Sequence, residues 1–410
     1  MSVSADYDLI VIGGGAAGFF GGINAAELNP KLRILILEKS TKLLAKVKVS
    51  GGGRCNVTHH CFEPTPLSKH YPRGQKELKK IFYQFHAAHT VSWFEQRGVI
   101  LKTEADGRMF PQSNNSQSII DCFLREAERY AIEIKTSCEV TQVVKIANHF
   151  EVSLNNKIIK AHTVLITTGG YNKRENYEWL AKLNHTIINP IPSLFTFNDS
   201  MRTFTSLMGV AVADAEVKIA GTRFSQRGPV LITHWGLSGP AVIKLSAWAA
   251  VELHQLHYTF TALVNWTGQP ELTIRETLMQ LKNQHSKKNI TGNALFELPK
   301  RLWEFLTHTA GIAPEKIWAE ASHKEINKLI ELLFACAFTI KGKTTFKEEF
   351  VTCGGVDCSA INLDTMESKL IPGLYFAGEV LNVDGETGGF NFQAAWSTAW
   401  VAAKAIAQVA

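Results

Sequence analysis

The stretch Tyr7–Gly18, YDLIVIGGGAAG, constrains the fold more than any other part of the chain. Tyr7–Ile12 is apolar and β-branched without a turn residue, which predicts a short buried strand. Gly13, Gly15 and Gly18 follow in G-x-G-x-x-G spacing. In such a turn the first glycine permits the sharp exit from the strand. The second lets backbone approach a pyrophosphate, and the third lets the following helix pack on the sheet. The helix start offers free N–H groups and the positive end of its dipole to phosphate. A second strand is expected over Arg33–Leu37, with Glu38 at its end, where an acid accepts hydrogen bonds from an adenosine ribose. An acid there, rather than an arginine, favours a bare ribose hydroxyl and so FAD or NAD over NADP. A glycine-rich turn that only packs tightly would not need Glu38.

The chain of 410 residues is long enough for two or three domains, and 45% apolar with 20% charged residues is ordinary globular composition. The net charge of +6 is mild for this length and does not call for nucleic acid. No apolar segment is long enough to span a bilayer once Leu9–Ala26 is read as the nucleotide unit, so a cytoplasmic protein is expected. The seven cysteines contain no C-x-x-C pair, which speaks against a dithiol centre or a zinc ribbon and for free thiols. No metal site is expected.

Lys46–Thr58 reads KVKVSGGGRCNVT. Three successive glycines, Gly51 to Gly53, are costly inside a helix or strand and mark backbone lying against something flat or crowded. A surface hairpin is the plainer alternative. Gln75–Gly98 shows helical spacing throughout, as does Ser116–Tyr130, and Glu104–Ser113 between them is turn-rich. Val140–Ile146, Phe150–Leu154 and Lys157–Ala161 predict an antiparallel meander, with Asn155–Asn156 as its last turn. Thr163–Thr167 predicts a further strand ending in Thr168-Gly169-Gly170, either a close approach to a ligand or an ordinary strand-end turn. From about Pro190 the texture changes to short strands over Val210–Ala220, Pro229–Thr233 and Tyr258–Asn265, with a helix near Gly239–Leu253. Helices are then expected over Thr273–Gln284, Leu298–Thr309 and His323–Cys336. Near the end, the strand Leu374–Ala377 is followed by Gly378-Glu379, a loop with Asp384, Gly388 and Gly389, and a helix from Phe390. That helix start could sit beside a flavin ring, or the helix could simply pack.

Together these pieces resemble one bacterial flavoprotein family, called YhiN-like or BaiN-like, which includes a reductase of 3-dehydro bile acids. The matching residues are YDLIVIGGGAAG, VSGGGRCNVT, ADGRMFPQS, HWGLSGPAVIKLS at His234–Ser246, TCGGVDCSAI at Thr352–Ile361 and PGLYFAGEVLNVDGETGGFNFQAAWS at Pro372–Ser397. The resemblance implies an α/β fold: a glutathione-reductase-type, Rossmann-like FAD domain in two sequence segments. It also implies an insert made of a small β-barrel and a helical part. The boundaries expected are 1–192 and 346–410 for the FAD domain and 193–345 for the insert. By resemblance Gly13, Gly15, Ala16, Ala17 and Gly18 face the pyrophosphate, and Glu38 with Lys39 the adenosine ribose. Lys48, Ser50, Gly52, Gly53, Arg54, Cys55 and Asn56 lie along the ribityl chain and ring, and Val140 faces the adenine. Thr168, Gly169, Gly378, Glu379 and Asp384 line the nucleotide, and Gly388, Gly389, Phe390 and Asn391 the flavin edge. The chain departs from the family after Gly170, where GGYNKRENYEWLAKLNH replaces a proline- and glycine-rich loop.

The expected activity is that of an FAD-dependent oxidoreductase in which NADH or NADPH reduces the flavin, and the flavin reduces an enone, quinone or similar small acceptor. Only one dinucleotide fingerprint is present, so a pyridine nucleotide would bind transiently. An amine-type oxidase using dioxygen and a flavin-dependent RNA-binding or RNA-modifying protein are the alternatives. Cys55 and Arg54 are the only catalytic candidates, with Cys55 reactive if Arg54 lowers its pKa. Packing for Cys55 and anion binding for Arg54 are the competing readings.

Overall fold

The computed structural model describes residues 5–155, 157–344 and 351–409. Tyr7–Ile12 forms the strand expected of it, with its last four residues buried. It lies between two parallel neighbours, Ile34–Leu37 and Lys157–Ile166. Glu133–Lys135 extends the layer on one side and Leu374–Phe376 on the other, both also parallel. Strands buried on both faces read as continuous apolar runs, which is why ILIL and LYF show no alternation. The sheet thus takes strands from both ends of the sequence, the two-segment Rossmann-type arrangement. The hairpin Ile361–Asn362 with Glu367–Ser368 finishes the edge beside Leu374–Phe376.

Lys157–Ile166 is one ten-residue strand rather than two. Its first half pairs antiparallel with His149–Leu154 and its second half parallel with Tyr7–Ile12, so that Ala161 faces both Phe150 and Tyr7. His162 is exposed and interrupts the apolar pattern without interrupting the backbone. The expected turn at Asn156 lies outside the described residues.

Gln75–Gly98 is two helices, Gln75–Phe82 and Ala87–Glu95. The break comes from local capping: His86 Nδ1 accepts from the Ala88 N–H, and the His86 N–H donates to His89 Nδ1 at 3.0 Å. A reciprocal cap of this kind starts a new helix whatever the side-chain periodicity. Ser116–Tyr130 is a helix over Gln117–Arg129, and the turn-rich Glu104–Ser113 is the hairpin Leu101–Thr103 with Arg108–Pro111. Ala16–Leu28, Ala87–Glu95, Gln117–Arg129 and the C-terminal helix Phe390–Val409 meet in an aromatic cluster. Phe20 lies 4.7 Å from Trp93 and 5.2 Å from Trp396, and Phe123 lies 5.6 Å from Trp396, between ring centroids. Trp396 also donates its indole N–H to Val57 O at 2.9 Å.

The chain divides into two compact units, Met1–Ser193 with Lys347–Ala410 and Leu194–Phe346. Ile187–Ser193 pairs antiparallel with Val351–Val356 where the chain leaves the first unit and returns to it. The expected boundary at 345/346 lies outside the described residues. The second unit has its own core and a closed six-stranded barrel, ordered Thr196–Asp199, Gly236–Ser238, Ser225–Ile232, Ala211–Ile219, Thr259–Asn265, Cys336–Thr344. Cys336 opens the closing strand rather than ending the preceding helix, which stops at Phe334. The helix near Gly239–Leu253 is two helices, Pro240–Trp248 and Ala250–Gln255. Among the described residues no helix is long and apolar enough to cross a membrane.

Trp396→Ala should lower the unfolding free energy by about 3–5 kcal/mol, because it opens a large cavity where four helices meet. Urea denaturation followed by far-UV circular dichroism reads this directly.

Candidate dinucleotide site

Four loops leave the carboxyl ends of adjacent parallel strands: Gly13–Gly15, Glu38–Ser40, Thr167–Gly170 and Ala377–Glu379. Open α/β sheets bind ligands at this edge. Gly13 has φ +118°, and a Cβ there would overlap Thr167 O. A Cβ on Gly18 would overlap Gly13 O, and one on Gly14 would lie 2.9 Å from Glu38 Cβ. These three glycines are demanded by the fold itself. At Gly15, Gly52, Gly53 and Gly169 a Cβ would meet nothing within 4 Å. No side chain caps the helix that begins at Ala16, with Gly15 as its N-cap. The donors of that first turn, from Ala16, Ala17 and Gly18, are therefore left for an external acceptor, and the residues fit a pyrophosphate.

Glu38 has a second task. Its carboxylate accepts from the Gly14 N–H at 2.9 Å and the Ser40 N–H at 2.8 Å, pinning the glycine turn to the next strand. An ionised carboxylate keeps further lone pairs for a ribose hydroxyl. The Cys138 N–H donates to Glu38 O at 2.9 Å, and this brings the start of Val140–Ile146 beside Glu38. Lys39 lies 5.2 Å from the Tyr171 ring centroid. Thr168 donates its hydroxyl to Gly169 O at 3.4 Å and also hydrogen-bonds the Tyr171 side chain, and Tyr171 donates its N–H to Tyr177 Oη at 2.9 Å. The segment after Gly170 folds as two short helical turns, Arg174–Tyr177 and Glu178–Ala181.

Lys46–Thr58 is not a surface hairpin. A helix runs from Ala45 to Gly53 and breaks within itself at Ser50, Gly51 and Gly52. Gly51 packs where a Cβ would lie 2.9 Å from Phe110, and Ser50 donates its hydroxyl to Val47 O at 3.1 Å. Lys48 is exposed, and its carbonyl accepts from the Ser116 hydroxyl at 2.8 Å. Several side chains expected to face a cofactor also have partners within the protein. Arg54 donates to Glu104 at 2.5 Å and lies 3.9 Å from the Phe110 ring centroid, which holds its guanidinium in place. Glu379 accepts from Lys46 Nζ at 2.6 Å and from the Thr352 N–H at 3.0 Å. Cys55 is fully buried, and burial pushes its thiol up to about 12. A protonated, inaccessible thiol cannot be the reactive group considered from the sequence.

The C-terminal loop is held in the same way. Asp384 is fully buried against Arg73, which donates Nε to Oδ1 at 2.6 Å and Nη2 to Oδ2, and Ser193 donates to Oδ2 at 2.9 Å. Asn391 closes the loop by accepting from the Gly385 N–H and donating to Gly385 O, both at 2.9 Å. Asp384, without exposure, therefore builds the loop rather than facing a ligand, and Asn391 braces the same loop across Gly385. Gly378 packs on the first turn of the glycine-loop helix, where its Cβ would lie 2.9 Å from Ala17 Cβ. At Gly389 (φ +90°) a Cβ would lie 2.5 Å from Thr58 O. The Asn56 amide fits with its nitrogen donating to Thr58 O at 3.0 Å and its oxygen accepting from the Gly389 N–H at 2.9 Å. This joins the two glycine-rich segments. Gly388 and the buried Phe390 bring in residues the sequence reading passed over: His59, His70 and Glu386. For His59 the signal was THHC, which follows SGGGRCN after Val57; no local pattern links His70 to Glu386.

Two substitutions separate folding glycines from binding ones. Gly18→Ala should unfold or severely destabilise the domain. Gly15→Ala, at φ −93° in open space, should leave stability within about 0.5 kcal/mol while weakening FAD at least about tenfold. Thermal unfolding and flavin fluorescence titration read the two effects. Cys55→Ala should leave unchanged the number of thiols that a maleimide labels in the folded protein at neutral pH.

Residues 7–405 match the family described as HI0933-like protein Rossmann domain. The chain is 29% identical over 408 residues to an Escherichia coli (strain K12) protein named ribosomal RNA dihydrouridine synthase, covering 97% of each. It is 26% identical over 422 residues to a Clostridium scindens protein named 3-dehydro-bile acid delta(4,6)-reductase, covering 97% of this chain and 98% of the relative. A 3-ketosteroid-delta4-(5alpha)-dehydrogenase from Rhodococcus jostii RHA1 shares the fold, with a TM-score of 0.51 at 14% identity and 98% of each chain covered. A flavocytochrome c3 fumarate reductase also aligns at TM-score 0.51 and 14% identity, over 99% of this chain and 79% of that one. The architecture is that of FAD-dependent oxidoreductases, a Rossmann-type FAD domain with a barrel insert, and the chain belongs to the HI0933-like family.

Proposed function

We propose that the chain holds FAD and reduces a carbon–carbon double bond conjugated to a carbonyl, with a uracil base of ribosomal RNA as the acceptor and NADH or NADPH as the electron source. The observation that carries the cofactor half is the uncapped helix start at Gly15, where, as at Gly52, Gly53 and Gly169, a Cβ would meet nothing within 4 Å. In this reading Gly13–Gly18 take the pyrophosphate, Glu38 the adenosine ribose and Val140 the adenine side. Thr168 and Gly169 follow the nucleotide, and the backbone of Ser50–Asn56 and Gly388–Asn391 takes the ring.

The acceptor half draws on the relatives' names. Dihydrouridine is uridine with its ring double bond saturated, and that bond is conjugated to a carbonyl. A delta(4,6)-reductase of a 3-dehydro steroid saturates bonds conjugated to a ketone. The two names share one reaction type, addition of hydride at the far carbon and of a proton beside the carbonyl. When bound, FAD supplies the hydride. The chain's own task is to orient the cofactor and the acceptor and to deliver the proton. RNA is favoured over a small acceptor because two of the relatives bear the ribosomal RNA name, at 29% identity and over 97% of this chain. That support outweighs the mild net charge of +6.

The test is anaerobic. Protein reconstituted with FAD is mixed with NADH or NADPH and then with an unmodified ribosomal RNA transcript, and the digested RNA is weighed by mass spectrometry. Bleaching of the flavin followed by a uridine carrying two extra hydrogens is the expected result, with turnover falling steeply as salt is raised. Bleaching with unchanged RNA, while a dehydro-steroid is reduced, would transfer the proposal to a small acceptor. A protein that takes up no FAD would end it.

A further inference from the structure

A cluster of titratable side chains that neither the glycine fingerprint nor the loop scaffold uses lies at the start of the C-terminal helix. His70 Nδ1 is 2.6 Å from Glu386 Oε1, and the Glu386 N–H donates to His70 O at 3.0 Å. The pair is therefore tied twice. The Glu386 side chain is 7% exposed and the His70 side chain 33%, so the carboxylate is sunk behind an imidazole that still reaches the surface. His70 stacks on Phe390 with centroids 4.2 Å apart and 11° between the planes. His59 stacks on Phe390 at 4.7 Å, with the two imidazoles 5.8 Å apart. Tyr71 fixes the same turn by donating its hydroxyl to Phe390 O at 2.6 Å. Phe390 follows Gly388 and Gly389 directly, and a Cβ on Gly388 would lie 3.6 Å from the His59 ring. The cluster is thus built into the turn assigned above to the flavin ring.

Enone reduction needs an acid as well as a hydride. Among these groups, Cys55 is buried, Arg54 and Asp384 are in ion pairs, and His70 combines a carboxylate behind it with a partly exposed ring. We propose that His70, held and oriented by Glu386, is the proton donor of the reduction. This rests on the reductase reading above. With reduced FAD bound as the hydride source, the carbon far from the carbonyl would gain a C–H bond as the π bond breaks. Its electron pair moves toward the carbonyl, and the carbon beside it takes the proton from the His70 imidazolium. The imidazole would end neutral, the two electrons having come from the bound cofactor. Water reprotonates His70 through its exposed edge, and NADH or NADPH returns the two electrons to the flavin.

The groups facing His70 are Glu386 from the loop before the helix, Cys61 from the segment after Thr58–His59, and His59 from that strand. Burial by itself pulls the imidazole down. The hydrogen bonds to Cys61 and Glu386 outweigh it, and the pKa is pushed up to about 9. The donor is therefore charged at neutral pH. Stability contributed by the pair is complete below the ordinary value of 6.5 and is lost as pH rises through about 9.

The experiment uses the full chain loaded with FAD, as wild type, His70→Gln and Glu386→Gln. Flavin reduced by dithionite is mixed with the RNA transcript or with cyclohexenone, so that the pyridine nucleotide plays no part. Reoxidation in His70→Gln should fall about a hundredfold. In wild type it should fade as pH rises through about 9, and in Glu386→Gln the fading should move toward 6.5. A second readout needs no turnover. p-Chlorophenol, whose oxygen binds beside a proton donor when its ring stacks on flavin, should give a long-wavelength band in wild type that His70→Gln removes. Reoxidation or a band unchanged in His70→Gln overturns the assignment, as does a wild type that gives no band. Reoxidation of the wild type by neither acceptor, with the band intact and dependent on His70, strikes the acceptor reading and leaves the proton donor standing.

Discussion

One close approach governs the nucleotide edge of this protein: the carbonyl of Gly13 against the Cα of Gly18. It turns the chain from the first strand into the first helix within a few residues. Thr167, at the end of the neighbouring strand, donates its hydroxyl to Ile12 O and Gly13 O at 3.0 Å each, so the same carbonyl is held from both sides. Glu38 completes the clamp through the Gly14 N–H. Three parallel strands are thereby locked to one turn, and the helix is left pointing uncapped donors away from the sheet.

The far end of the sequence is bound to that turn by packing and by buried charge. Gly378 sits on Ala17, and Phe390–Val409 packs along Ala16–Leu28 through Phe20 and Trp396. Arg73 and Asp384 form an ion pair in which the carboxylate has no exposure. Such a pair contributes little net stability, yet losing either member leaves a buried charge alone. Its value here is positional, since Asp384 opens the loop that carries Gly388, Gly389 and the cluster around His70.

How much was legible depends on whether the signal was local. The strand Tyr7–Ile12, the glycine spacing and the acid at Glu38 were readable because each follows from backbone sterics or strand chemistry within a few residues. The division of Gln75–Gly98 was not, because periodicity carries through a break that His86 and His89 make by capping. The continuity of Lys157–Ile166 was hidden for a related reason. The strand changes partners midway, and its burial pattern changes with them. Val351–Val356 was invisible as a strand because Gly354 and Gly355, at φ +107° and +123°, carry no strand propensity.

The site residues divide along the same line. Backbone roles, at Gly13, Gly15 and Gly18, were set by residue type, because only glycine lacks the Cβ that would block the turn or the ligand. Side-chain roles were decided by partners distant in sequence. Arg54 is held by Glu104 and Phe110, partners that no local pattern announced, and Cys55 is a candidate nucleophile in the sequence that the core closes over. Glu386 and His70 stand far apart in sequence and meet only after both chain segments have folded onto one sheet. Sequence alone therefore determined that this chain builds a dinucleotide turn on a parallel sheet. Which charged groups stay free to do chemistry was decided by the tertiary structure, because desolvation and ion pairing act only on neighbours that folding brings together.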